Sequence, residues 1–283
     1  MKFVVIPIFN EEATIKNVIE EVLNYCDYVV AVNDASTDNS AEILNNIDHS
    51  NLIIIENKKN LGIGGATKKG IEFAIKNGAS IIIKFDADGQ HLAHDIPKFI
   101  KQINENNFDF VKGNRFKSSI NQMPFIKLLG NLITTNLQKI ITGNFKISDP
   151  NNGFIAFKTR IFKYIKIENL RDDYFFENSF LMYLNIFNFK IKELPIKTIY
   201  EKEKSSIPLI IGSLKLIPVF ILLLFKKNYQ NMRHNLSLGS IIFYLFILLL
   251  IIKILNSDLI NIYILLLLIL LYLIIEVINF LTE

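Results

Sequence analysis

Ser80–His91 reads SIIIKFDADGQH, an apolar run that ends in two aspartates one residue apart, Asp86 and Asp88. Neighbouring carboxylates repel, so the pair is favoured where a cation lies between them or where each oxygen caps a turn. Hard oxygen donors at this spacing suit Mg2+ or Mn2+, and such ions in turn bridge diphosphate oxygens. The competing reading is an Asx-turn or helix cap at the end of a strand, for which DGQH alone would serve.

The same grammar recurs on both sides of this stretch. Strand-like runs at Phe3–Ile8, Tyr28–Val32, Leu52–Ile55, Ile81–Phe85 and Phe108–Val111 alternate with helical patterns. One helix carries Ile15, Val18, Ile19, Val22 and Leu23; others cover Ala41–Asn46, the stretch from the glycine-rich loop to about Asn77, and Ile96–Asn106. Strands apolar throughout and separated by helices predict an α/β fold, a mostly parallel sheet covered on both faces. Ligands of such sheets bind at the carboxyl ends of the strands. The polar clusters after Ile8, Val32, Ile55 and Phe85 all fall on that edge.

Composition bounds the partners. The net charge of +4 is spread out, with four arginines and no basic run, which speaks against a nucleic-acid surface. Cys26 is the only cysteine, so disulfides within the chain and thiolate metal sites are excluded. The opening MKFVVIPIFNEE is too short in its apolar run for a secretory signal and reads as the first strand.

Past Ile207 charges thin out and Ile, Leu and Phe dominate. This predicts a domain over residues 1–206, amphipathic juxtamembrane helices over 207–235, and a transmembrane hairpin over 236–283. Its two spans, Leu236–Leu255 and Leu259–Leu281, are each long enough for a bilayer and are separated by Asn256–Asp258. Lys226, Lys227 and Arg233 precede the first span and the turn carries no Lys or Arg, so the positive-inside bias places the first domain and both hairpin ends in the cytoplasm. The expected location is a cell membrane, multi-pass, with the membrane helices as a surface for homo-oligomers.

PIFNEEATI (Pro7–Ile15), VNDASTDNS (Val32–Ser40), NLGIGGA (Asn60–Ala66) and DADGQH (Asp86–His91) follow one another strand by strand. Together they resemble the family 2 glycosyltransferases of the GT-A fold, in the dolichol-phosphate mannose synthase-like branch. The resemblance continues through GNRF (Gly113–Phe116), DPNNGFIAF (Asp149–Phe157), ELPI (Glu193–Ile196) and YEKEKSSI (Tyr200–Ile207). It implies a nucleoside-diphosphate sugar donor, a polyprenyl or dolichyl phosphate acceptor, a lipid bilayer and a Mg2+ or Mn2+ cofactor. The alternative acceptor is a sugar hydroxyl of a glycolipid or cell-surface glycan.

Site roles are carried over with it. Pro7, Phe9, Glu11 and Asp34 fall where the family holds the nucleoside; Gly62 and Gly64, with Gly65, would let backbone approach it. Ile63 stands where many relatives have a lysine. Asp86, Ala87 and Asp88 face the nucleotide sugar, and Asp86, Asp88 and Gln90 are the metal ligands. Arg115, Lys204 and Ser205 are phosphate or acceptor contacts, Arg115 by bidentate binding. Asp88, Asp149, Glu177 and Arg115 form the catalytic set. Asp149 and Glu177 are acids on the acceptor side, with a turn former and a helix-surface residue as their respective alternatives.

Overall fold

The computed structural model describes residues 1–116, 135, 138–139, 147–199, 209–235, 237–255 and 262–282. The chain divides into two compact units, Met1–Thr135 with Ser148–Ser206, and Asn136–Ile147 with Ile207–Glu283.

The first unit is built on β1 (Lys2–Ile8), β2 (Tyr28–Asn33), β3 (Leu52–Glu56), β4 (Ile81–Lys84), β5 (Phe110–Asn114), β6 (Ile155–Lys158) and β7 (Ile191–Pro195). They form one sheet in the order β3-β2-β1-β4-β6-β5-β7. Strands β1 to β4 pair in parallel, β6 runs antiparallel to both neighbours, and β7 is parallel to β5. The order reverses between β1 and β4, and at such a switch point loops part to leave a crevice at the carboxyl edge.

Both faces are covered. Helices α1 (Ile15–Val22) and α4 (Ile96–Asn104) share one apolar cluster with Val4, Ile6, Val29, Ile83 and Phe154. Short α2 (Ser40–Asn45) follows β2, and α3 (Gly62–Lys76) packs on β1 and β2. Helix α5 (Phe176–Ile186) is buried along nearly its whole length, which explains why its sequence lacks a polar stripe. Its Phe180 ring meets Phe110 and Phe157 edge-on at centroid distances of 5.2 and 5.1 Å.

All five expected strands are present with ends shifted by one to three residues, and β6 and β7 are additional; two of the shifts bear on the site. β5 runs to Asn114 instead of ending at Val111, because Lys112 and Asn114 find buried partners: Lys112 Nζ donates to the Asn152 carbonyl, and Asn114 Nδ2 to Glu193 Oε2 at 2.8 Å. β4 ends at Lys84, leaving Phe85 in the core at the base of the loop.

The second unit holds α6 (Leu209–Asn235), α7 (Leu238–Leu255) and α8 (Ile262–Thr282). Residues 209–235 thus form one helix, running through Pro218. Phe225 meets Phe243 edge-on at 5.1 Å, Phe243 lies 5.6 Å from Tyr272, and Asn228 Nδ2 donates to Tyr272 Oη at 3.3 Å. Leu245, Leu248, Leu266, Leu267 and Leu270 are exposed. Among the described residues, no helix is long and apolar enough to cross a membrane. The predicted turn Asn256–Asp258 lies outside the described residues.

Phe180 joins α5 to the sheet one turn beyond Glu177. Phe180→Ala is expected to cost about 3–5 kcal/mol, read as a lowered midpoint in thermal or urea unfolding. Tyr174→Ala, at an exposed position just before the helix, should leave the midpoint within about 0.5 kcal/mol of the parent.

Candidate active site

The loops after β1 and β2 are laced together by polar side chains. Asn10 N–H donates to Ser36 Oγ, Glu11 N–H to Ser40 Oγ and Glu12 N–H to Asp38 Oδ2, at 3.1, 2.9 and 3.1 Å. Asp38 also accepts from Ser40 N–H at the start of α2. A slight desolvation is outweighed by these hydrogen bonds, which hold its carboxyl below the usual range. Pro7 is buried one residue before the end of β1; Phe9 is exposed just beyond the strand and Glu11 is half-buried.

Asp34 is almost fully buried at the end of β2. Its carboxylate accepts from Asn57 Nδ2 at 2.7 Å and from Leu61 N–H at 2.9 and 3.0 Å, which fixes the β3–α3 loop. The glycines that open α3 have a structural cause within the chain. Gly62, with φ +81°, and Gly64 lie against the chain's own Arg171–Asp173 backbone. A Cβ on Gly62 would stand 2.7 Å from the Asp172 carbonyl oxygen, and one on Gly64 2.4 Å from that of Arg171. The backbone that approaches them is therefore internal, and Gly65 N–H donates to the Asp172 carbonyl at 2.9 Å.

After β4 the chain turns into the crevice. Thr14 Oγ1 donates to the Ala87 carbonyl at 2.7 Å, tying this loop to the one after β1. Lys84, fully buried, places its Nζ 2.7 Å from Asp86 Oδ1 and 2.7 Å from Glu177 Oε1. His91 Nε2 lies 3.5 Å from the other Asp86 oxygen. Burial disfavours the charge on Asp86, yet the Lys84 ammonium and then His91 outweigh it and hold the carboxyl far below the usual range. Burial likewise opposes the charge on Lys84, and Asp86 and Glu177 more than restore it. Asp88 is half-buried and accepts from Gln90 N–H at 3.0 Å, which is the turn hydrogen bond of the competing reading.

On the far side of β6, Arg115 grips Asp149: Nε donates to Oδ2 and a terminal nitrogen to Oδ1, both at 2.8 Å. Burial is offset by this guanidinium, and the Asp149 carboxyl sits below its ordinary range. Glu193 of β7 receives the backbone N–H of Ser148 and Asp149 at 2.8 and 2.9 Å, fixing the approach of that loop. Lys112 stands in register with Lys84 across Ile155. Burial, opposed by Glu177 and Asp149, pushes its ammonium down to about 8. Beyond β7, Ile199 N–H donates to the Gln90 carbonyl at 3.0 Å and Thr198 bridges His91, so the segment leaving the sheet crosses the Asp86–His91 loop. Lys204 and Ser205 follow it but lie outside the described residues.

The structure thus gathers Asp86, Ala87, Asp88, Gln90 and Glu177 around one loop and helix, and pairs Arg115 with Asp149 nearby. Sequence reasoning missed Lys84, Lys112, His91 and Glu193 as parts of the site. The signal for the two lysines was present: each breaks an otherwise apolar strand, IIIKF and FVKGN. Among the described residues, no group of three or more His, Cys, Asp or Glu side chains could hold a metal alone. The donor set still fits Mg2+ or Mn2+. Mg2+ is commonly held by one or two carboxylates together with substrate phosphates and water, and Asp86, Asp88 and Gln90 offer that number of oxygens.

A lysine that loses protons more easily when folded leaves the unfolded chain binding more protons between about pH 8 and its ordinary value. Stability should therefore rise over that window. The parent is expected to gain up to a few kcal/mol from pH 8 to 10 relative to Lys112→Met, seen as a pH-dependent difference between their melting temperatures. A constant difference would contradict the assignment.

Residues 3–166 match the glycosyl transferase family 2 model. UDP-N-acetylglucosamine–dolichyl-phosphate N-acetylglucosaminyltransferase of Methanococcus voltae is 33% identical over 215 residues, covering 70% of this chain and 85% of that protein. Polyprenol monophosphomannose synthase of Mycolicibacterium smegmatis is 21% identical, covering 71% and 77%. Among solved structures, mannosyl-3-phosphoglycerate synthase of Rubrobacter xylanophilus shares the fold with a TM-score of 0.59 at 13% identity, covering 82% of this chain and 74% of that one. Glucosyl-3-phosphoglycerate synthase of Mycobacterium tuberculosis, crystallised with Mn2+, UDP and glucosyl-3-phosphoglycerate, gives 0.55 at 14%, covering 80% and 79%. With the sheet order and the loop chemistry in place, these matches assign the chain to glycosyl transferase family 2.

Proposed function

We propose that this protein is a membrane-anchored, metal-dependent, inverting glycosyltransferase that moves a sugar from a nucleoside diphosphate to polyprenyl or dolichyl phosphate at the cytoplasmic face. The observation that carries the acceptor class is that both acids assigned to the acceptor side are ion-paired. Asp149 is clamped by Arg115 and Glu177 is held by Lys84. A hydroxyl acceptor needs a general base, and a carboxylate whose oxygens are committed to a neighbouring cation is poorly placed to be one. A phosphate monoester is already anionic and needs none. The two named relatives support the same class: one name specifies N-acetylglucosamine and dolichyl phosphate, the other polyprenol monophosphomannose.

The chain's own residues do the following in this reading. The loops carrying Pro7, Phe9, Glu11 and Asp34 hold the nucleoside, and Thr14 ties them to the Asp86–Gln90 loop under the diphosphate. A divalent ion held by Asp86, Asp88 and Gln90 would neutralise charge on the departing diphosphate. An acceptor phosphate oxygen attacks the anomeric carbon from the opposite side as the bond to the diphosphate breaks, which inverts that carbon. Arg115 is the phosphate contact of this reading; Lys204 and Ser205, given the same role by the resemblance, lie outside the described residues. The apolar stretches 236–255 and 259–281 and the exposed leucines of α7 and α8 support insertion of the second unit beside the lipid acceptor.

Membranes containing the full chain, given Mn2+ or Mg2+, polyprenyl phosphate and a panel of nucleotide sugars (UDP-N-acetylglucosamine, UDP-glucose and GDP-mannose included), should yield labelled lipid from at least one donor. Transfer only to hydroxyl acceptors would overturn the phosphate reading. Asp88→Ala should lower turnover by about 100-fold or more while the protein stays folded. Extraction with alkaline carbonate should leave the full chain in the membrane pellet; release into the supernatant would contradict the anchor.

A further inference from the structure

We infer that Lys84 and Gly153 are positioning residues that set the orientation of Asp86 and lock the metal loop to helix α5. The inference deepens the proposed reaction and rests on the reading of Asp86 and Asp88 as ligands of the cation.

Three observations converge on one point. The Lys84 ammonium bridges two carboxylates from distant parts of the chain, Asp86 at the strand end and Glu177 in the first turn of α5, at 2.7 Å each. It does so while fully buried, where a single missing partner would leave an uncompensated charge. The Asn152–Gly153 turn closes over the same pair. A Cβ on Gly153 would lie 2.0 Å from Asp86 Oδ2 and 2.7 Å from Lys84 Nζ, so only glycine lets carboxylate and ammonium meet beneath the turn. That turn is itself held from behind, because Lys112 Nζ donates to the Asn152 carbonyl and Asn152 Oδ1 accepts from Phe154 N–H at 2.8 Å.

Asp86 therefore has little freedom to choose another rotamer. One oxygen is engaged by Lys84, the other faces Gly153 and His91. Partners behind a ligating carboxylate commonly fix its direction, and their loss weakens metal binding about 10–100-fold. Glu177 serves here as the anchor of Lys84, so the donor loop and α5 share one fixed reference.

Two charge-conserving variants of the full chain test this. Gly153→Ala crowds Asp86 without altering any charge. Lys84→Met combined with Glu177→Gln removes one positive and one negative group, leaving the net charge unchanged. Mn2+ binding is read by electron paramagnetic resonance in the presence of UDP or GDP, and donor KM and kcat are measured alongside. Each folded variant should bind Mn2+ about 10-fold or more weakly. Turnover should fall at low Mn2+ and recover in part at high Mn2+, which a general structural defect would not do. Parental Mn2+ affinity and turnover in either folded variant would overturn the inference. If Gly153→Ala does not fold, the double variant decides alone. Absence of Mn2+ binding by the parent with either nucleotide would instead overturn the metal reading beneath it.

Discussion

The site depends on one buried cation. Lys84 stands at the end of a central strand with no exposure to solvent, and its charge is tolerable only because Asp86 and Glu177 both reach it. That requirement fixes much else. It places α5 so that Glu177 points back to the sheet, demands a glycine at 153, and keeps Asp86 ionised. The β4 loop is thus a consequence of core electrostatics as much as of ligand chemistry.

The strands β1 to β4 were readable because each is a short apolar run bounded by turn residues, and the alternation with helices carried the parallel sheet. Asp86 and Asp88 were readable as a strand-end pair. What lay beyond local pattern was pairing across the fold. Lys112 lay just past the expected strand end at Val111, and its partner, the Asn152 carbonyl, comes from forty residues on. Helix α5 offered no amphipathic stripe because almost every side is covered. Gly62 and Gly64 were visible as special backbone, but nothing local could show that Arg171–Asp173 is what approaches them. Asp34 was likewise visible as a strand-end acid, while its bonds to Asn57 and Leu61 are set by the register of β2 against β3.

These pairings bear on chemistry as well as folding. A catalytic base must be able to take up a proton near the working pH. Arg115 removes that capacity from Asp149 by favouring its charged form, and Glu177 is committed to the buried ammonium of Lys84 at 2.7 Å. Such carboxylates are suited to holding cationic side chains in place beneath a polyanionic substrate. The fold of the phosphoglycerate sugar transferases is shared by this chain, yet fold alone does not choose an acceptor. In the proposed reaction it is the ion pairing of Asp149 and Glu177 that favours a phosphate acceptor.

The remaining selectivity question concerns the sugar, and the same logic narrows where it can be decided. The residues of the donor loop are engaged in holding one another: Asp86 by Lys84, the Ala87 carbonyl by Thr14, Gln90 by Asp88 and Ile199. In the proposed reaction a framework tied at this many points would meet the charge and geometry of the diphosphate, which all nucleoside-diphosphate sugars share. Discrimination among sugars instead requires polar groups that are matched by one hydroxyl or amide pattern and left unpaired by another. Such groups must come from outside the loop, on the side where the sugar leaves the diphosphate. The balanced cluster fixes the loop, so a change of sugar preference calls for changes in residues that face the sugar ring and lie outside it.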